Sequence, residues 1–342
     1  MTHVYTVDVG ALFGNFNNFL DFTIGGLVFG AIYALIALGY TMVYGVLQLI
    51  NFAHSEVFMY GTFAVAWTFV LLHGTGDASW SLGRALPILL VALVAAMLLS
   101  AAIALLLERV AYRPLINKNA PKLIALISAI GASFALSEAM GLRDKPFKWF
   151  GADDNLADYV GRPREASPIP LDVPTVRLFY IFDYHVSNID LIVLGSAIVM
   201  MVVLDQFVQR SRLGRGIRAV AQDPESAALM GVNRDRVIRL TFVIGGAMAG
   251  AAAMMYLLKI GVTRYNAGFL LGVKAFTAAV LGGIGNLRGA LLGGFVLGVA
   301  ESYGSALFGS NWKDVVAFTL LVVILLFRPT GLLGESLGKA RA

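Results

Sequence analysis

Four histidines, His3, His54, His73 and His185, stand too far apart to form an HExxH pair or another familiar metal spacing. Cysteine is absent, which removes disulfides, thiolate metal sites and cysteine nucleophiles together. Gly334 to Ala340 (GESLGKA) has the outline of a phosphate loop. It is one residue short before Gly338-Lys339, however, and places Ala340 where a magnesium-binding Ser or Thr is required. If ATP powers this chain, another chain must bind it. Four lone ionisable residues lie near apolar runs: Glu138, Asp205, Lys274 and Glu301. Asp205 and Lys274 suit an interface, where charge costs little. Glu138 and Glu301 follow apolar runs and are the better functional candidates, although the sequence shows no partner for either. No hydrolytic or redox set converges.

The elements that must position these residues are membrane spans. Apolar residues make up 58% of the 342 and charged residues 14%. Mean hydropathy is +0.77, far from the balance of an ordinary soluble domain. The chain therefore reads as an all-α polytopic membrane protein, a single transmembrane domain over residues 1–342. Spans of about 20 apolar residues are expected at Phe22–Val43, Phe52–Leu72, Leu86–Leu107, Leu123–Leu142, Leu191–Val208 and Leu240–Leu258. In the last third, Val273–Leu281 is apolar but short, Ala290–Leu307 is glycine-rich and Val315–Phe327 is compact, giving eight or nine crossings, one of them short or broken. The start lacks a basic n-region and its first apolar run is long enough to stay as a span, so no cleavable signal peptide is expected.

Lysine and arginine in the short loops set the orientation. Arg109, Arg113, Lys118 and Lys122 follow the third span, and Arg210, Arg212, Arg215, Arg218, Arg234, Arg236 and Arg239 surround the 209–239 loop. Both segments are expected in the cytoplasm. The 143–188 segment mixes its cations with Asp144, Asp153, Asp154, Asp158, Glu165, Asp172 and Asp183 and belongs outside. A start without lysine or arginine before Phe22 also lies outside, and the Arg328 end lies inside, which requires an odd number of crossings and favours nine. The net charge of +5 then follows from topology, and no nucleic-acid partner is read into it.

Three constellations carry information. In the 209–239 loop, Asp223 is a good helix N-cap, Pro224 suits the first helical position and Gly231 supplies a left-handed stop. These predict a helix of about two turns, too short to be stable alone in water. Ala227, Ala228, Leu229 and Met230 offer it small and soft apolar groups for docking on a soluble partner. In Gly45–Gly61, Gln48, Asn51, His54, Ser55 and Glu56 interrupt two spans; this is either a plain turn with Asn51 and Ser55 as caps or a polar break bordering a permeation path, with Asn51, His54 and Glu56 as path candidates. In Lys274–Gly298, Gly285, Gly289 and Gly293 recur every four residues, with Gly294 and Gly298 on a neighbouring face, a pattern that serves close helix packing. Gly282, Gly283 and Gly285 also permit a broken or re-entrant helix.

Taken together, GAIYALIALGYTMVYGVLQLINFAHSEVFMYG, LGRGIRAVAQDPESAALMGVNRDRVIRLTFVIGGAMAG and VKAFTAAVLGGIGNLRGALLGGFVLGVAES, followed by WKDVVAF and RPTGLLG, resemble the permease subunit of branched-chain amino acid ABC importers, the LivH type. The resemblance runs from about Gly25 to Gly334 and weakens in the 143–188 segment. Glu225, Ala227 and Gly231 also resemble the EAA…G loop of importer permeases, with Ser226 where alanine is usual. The resemblance implies an ABC importer permease fold in the bacterial cytoplasmic (inner) membrane. It implies two cytoplasmic ATPase subunits carrying ATP and magnesium, a second permease (LivM type), and a periplasmic or surface amino-acid-binding protein. No cofactor is expected in this chain, and it is expected not to be an enzyme.

Other classes fit less well. An ion-coupled secondary carrier would share the hydrophobicity but gain nothing from the docking loop, and would show paired intramembrane acids. A membrane enzyme needs a convergent catalytic set. Within the importers, a sister permease for urea, short amides or other amino acids is the alternative to one for branched-chain amino acids.

Overall fold

The computed structural model describes residues 16–73, 82–118, 120–145, 163–169, 175–181 and 184–334. His3, most of the 143–188 segment and the GESLGKA tail beyond Gly334 lie outside the described residues. The long helices are α1 (Phe16–Leu47), α2 (His54–His73), α3 (Leu82–Leu107), α5 (Lys122–Gly141), α6 (Asn188–Arg210), α9 (Arg234–Ile260), α11 (Leu287–Phe308) and α12 (Lys313–Phe327). Shorter ones are α4 (Arg113–Asn117), α7 (Arg212–Gln222), α8 (Pro224–Leu229) and α10 (Ala267–Gly282). Eight described helical segments are long and apolar enough to cross a bilayer, and Ala267–Gly282 is a shorter apolar helix. Helices dominate because hydrocarbon offers no partner to a free N–H or C=O, so each span must satisfy its own backbone.

One expectation changes at the third span. The basic segment after Leu107 is not a loop but a helical continuation, through a π-turn at Glu108–Tyr112 into α4. The turn places Glu108 and Tyr112 in the interior. Arg113 pairs with the buried carboxylate of Glu108 at 3.1 Å.

Two compact units are distinguishable: residues 1–41, 175–205 and 274–342, and residues 42–174 and 206–273. In the second, α2, α3 and α9 pack through small residues. A Cβ built on Gly61 would lie 2.7 Å from Ser100 Oγ and 2.9 Å from Ala253 Cβ, and one on Gly250 would lie 2.7 Å from Met97 Cα. Lipid tails are as apolar as leucine, so these helices associate by close backbone approach and not by hydrophobic exclusion. Gly250→Leu is therefore expected to destabilise the protein by about 1–3 kcal/mol through overpacking, read as a lower unfolding midpoint in detergent; an unchanged midpoint would show the interface to be loose.

The described residues 143–145 and 163–169 are tied to this unit. Strand β1 (Ser167–Pro168) pairs antiparallel with β4 (Val262–Thr263). Arg143 stacks 4.7 Å from the Phe63 ring centre and donates to Pro163 O at 2.7 Å. Arg164 reaches Glu138 at 2.6 Å, so Glu138 has a partner after all, an exposed one in the segment that follows its helix.

In the first unit, α1 lies against α11 along paired glycines: a Cβ on Gly30 would meet Gly294 O at 2.6 Å, and one on Gly294 would meet Ala34 Cβ at 2.5 Å. After α12 the chain folds back, with Leu332 N donating to Leu281 O at 2.8 Å and Leu333 N to Gly282 O at 2.9 Å. Strands β2 (Arg177–Ile181) and β3 (Tyr184–Ser187) form a hairpin, and Val176 and Asn188 exchange hydrogen bonds that fix its base on the first residue of α6.

Candidate functional site

The short helix expected in the 209–239 loop forms, as α8, one residue shorter at its end than the sequence implied. Asp223 caps it: Oδ1 accepts from Glu225 N at 3.0 Å and Ser226 N at 3.2 Å, and Oδ2 accepts from Ser226 Oγ at 2.5 Å. These three donors hold the Asp223 carboxyl below the ordinary aspartate value. A depressed folded-state value means that the cap is fully formed above the ordinary pKa of about 3.9 and weakens only as pH falls through the lowered value. Gly231 closes the helix with φ of +84°, a left-handed conformation that an L side chain resists. Beneath α8, Ala227 is buried, and α7 buries Ile217 and Val220. Both short helices contact α9, whose own start is capped by Asn233 on Arg236 N at 2.9 Å. Leu229 and Met230 project outward, 88% and 85% exposed. A six-residue helix capped at both ends thus carries two bare apolar side chains at its end.

The break between α1 and α2 spans residues 48–53, with Gln48 at φ of +50°. Asn51, His54, Ser55 and Glu56 are all buried. Asn51 Oδ1 accepts from Tyr112 OH at 2.9 Å, which ties the break to the π-turn, and Glu56 Oε1 accepts from Ser133 Oγ at 3.1 Å. Glu56 Oε2 is buried without a hydrogen-bond partner, facing Gly268, where a Cβ would come within 2.8 Å of it.

The glycine run resolves into two roles. Gly282 ends α10, Gly283 and Gly285 adopt φ of +106° and +98°, and Asn286 caps α11 by accepting from Arg288 N and Gly289 N. The chain is thus broken between α10 and α11. Gly289 packs against Gly282 and Gly293 against Ala278, whereas Gly285 belongs to the turn and not to the packing face.

Lys274 is not an interfacial charge. It is 7% exposed and lies 2.9 Å from Glu301 Oε1 and 2.8 Å from Asp314 Oδ1, joining α10 to α11 and α12. Tyr33 OH donates to Glu301 Oε2 at 2.7 Å. Glu301 therefore does have partners. Each lies on a different apolar segment, so no local spacing reveals them; the only available signal is that the last third of the chain places balanced charges inside consecutive spans. Asp205, in contrast, keeps the surface reading, pairing with exposed Arg288 at 2.9 Å. Among the described residues no group of three His, Asp or Glu side chains could hold a metal ion.

A bundle of apolar helices long enough to cross a bilayer, with a capped short helix on a polar loop and a chain break after a short apolar helix, has the architecture of a membrane permease. The family model described as "Branched-chain amino acid transport system / permease component" matches residues 22–325, and the chain belongs to that family of ABC importer permeases. It is 42% identical over 321 residues to the high-affinity branched-chain amino acid transport system permease protein BraD of Pseudomonas aeruginosa, covering 93% of this chain and 96% of that one. It is 40% identical over 325 residues to LivH of Escherichia coli K12, with the same coverage. A probable LivH of Methanocaldococcus jannaschii is 24% identical over 327 residues.

Proposed function

We propose that this chain is the LivH-type half of a heteromeric importer in the bacterial cytoplasmic membrane, passing branched-chain amino acids released by an external binding protein. A second permease of LivM type completes the path, and two cytoplasmic ATPase subunits carry the ATP and magnesium. The carrying observation is α8: a helix too short to stand alone, fixed by caps at both ends, with Leu229 and Met230 bare. We assign Asp223, Pro224, Glu225, Ala227, Ala228, Leu229, Met230 and Gly231 to ATPase docking. Closure of the ATPases would move α8, and its contacts with α7 and α9 would carry the movement into the bundle; only unequal affinity of the ATPases for two bundle states can shift their populations.

Asn51, His54 and Glu56 are proposed to border the path at the break. Their support is the unpartnered Glu56 Oε2, since a carboxylate left half-satisfied inside a membrane protein is costly and marks function. Single cysteines at these positions, in a chain that has none, are expected to react with a water-soluble thiol reagent only while ATP is being turned over. Inertness with and without ATP would make the break a packed turn.

The assignment as a whole is tested by purifying the chain in mild detergent from its host and identifying what is retained. ATPase subunits and a second permease are expected with it, with ATPase activity in the eluate. Elution alone, without ATPase activity, would overturn the importer reading.

A further inference from the structure

One cavity is lined by residues of neither the break nor α8. Of about 240 Å³, it is walled by Phe22, Gly25, Phe29 and Tyr33 of α1, by Gly298, Glu301, Ser302 and Ser305 of α11, and by Lys313 at the start of α12. Its size is below the range typical of drug-sized ligands, and its lining follows the usual plan of apolar walls with a few placed polar groups. Glu301 is 4% exposed, and its Oε1 is held by the Lys274 ammonium at 2.9 Å. A carboxylate oxygen has two lone pairs, so it can take a second donor beside Lys274. Ser302 and Ser305 line the cavity beside it, and Ser305, four residues on, shares its side of the helix. Lys313 supplies the opposite charge at the rim, 5.8 Å from the Phe29 ring centre. A Cβ built on Gly25 meets nothing within 4 Å, so the wall there is open.

Charge balance narrows the occupant. The charged residues that line the cavity are Glu301 and Lys313, one of each sign. An amine alone or an acid alone would leave a partly buried charge uncompensated, whereas a ligand bearing both signs would not. We propose that this cavity binds a zwitterionic α-amino acid with a small apolar side chain. Its ammonium lies at Glu301 and Ser302, its carboxylate at Lys313 and Ser305, and its side chain against Phe22, Phe29 and Tyr33. This deepens the transport reading and rests on it, by assigning a resting place for the substrate within this chain.

The test uses Ser302→Cys in the assembled complex, with the rate of modification by a small methanethiosulfonate reagent as readout. Millimolar L-leucine is expected to slow modification at least threefold, while isoamylamine and isocaproate, each carrying one charge, leave it unchanged. Gly25→Leu, which fills the cavity without a backbone clash, is expected to remove the leucine effect. Ser305→Cys serves in the same way if Ser302→Cys fails to assemble. No protection by leucine, or equal protection by all three compounds as for a lipid-filled hollow, would overturn the proposal. Leucine uptake by the same complex is measured in parallel: uptake without protection sinks the cavity site alone, and absence of uptake by the unmodified complex sinks the transport reading.

Discussion

Replacing Leu229 and Met230 together by glutamate is expected to lower ATP-driven uptake by roughly 100-fold, while the chain still inserts and its unfolding midpoint is unchanged. Two exposed apolar tips at the centre of a contact act as anchors worth about 2 kcal/mol or more each, and a carboxylate entering an apolar groove adds a desolvation cost. The separation of the two readouts is the point. Both side chains are bare in the chain itself, so their loss costs the fold little. Glu225→Lys and Gly231→Trp are expected to act in the same direction, Gly231→Trp by forcing a side chain onto a left-handed backbone. Wild-type uptake in the double variant would remove α8 from the coupling machinery. The measurement is uptake of radiolabelled leucine into proteoliposomes beside ATPase activity; docking loss predicts that both fall.

The second large effect belongs to Lys274. Lys274→Met leaves Glu301 buried opposite Asp314 with no cation between them, and breaking such a pair from one side costs about 3–5 kcal/mol. Most of that cost sits on Glu301; Asp314, with its side chain 48% exposed, is screened and contributes little. Lys274→Met is therefore expected to lower the unfolding midpoint strongly, Lys274→Met with Glu301→Gln to recover most of the loss, and Lys274→Met with Asp314→Asn to recover little. Equal recovery by both second changes would place the burial on the wrong carboxylate. Tyr33→Phe separates the hydroxyl from the charges, since it removes only the donor to Glu301 Oε2.

Much of this architecture was legible because the bilayer imposes a single strong rule. Each span appears as an apolar run, and the short helix was visible as Val273–Leu281 because its glycine turn, Gly282 to Asn286, follows directly. The docking helix was legible from Asp223, Pro224 and Gly231, since capping is a local property and local properties survive in sequence. The continuation of the third span past Leu107 was not legible: Arg109 and Arg113 read as loop, and only the burial of Glu108 and Tyr112 by a π-turn explains their helical setting. Lys274 illustrates the same limit. Its spacing suited an interface, while its partners Glu301 and Asp314 come from two later segments. Tertiary pairing of that kind leaves no periodicity.

The close packing of α1 on α11 also has a consequence for biosynthesis. Ala31 and Leu35 to Leu38 are fully buried, although the glycines that receive α1, Gly294 and Gly298, emerge some 260 residues later. At a synthesis rate of about 5–20 residues per second, the first helix waits on the order of half a minute for its neighbour. Residues 42–174 and 206–273 can be assembled during that interval, since their elements are all made before α11. A chain that ends before Leu287 thus lacks the glycine face that receives its first helix, leaving Gly26 and Gly30 unmatched.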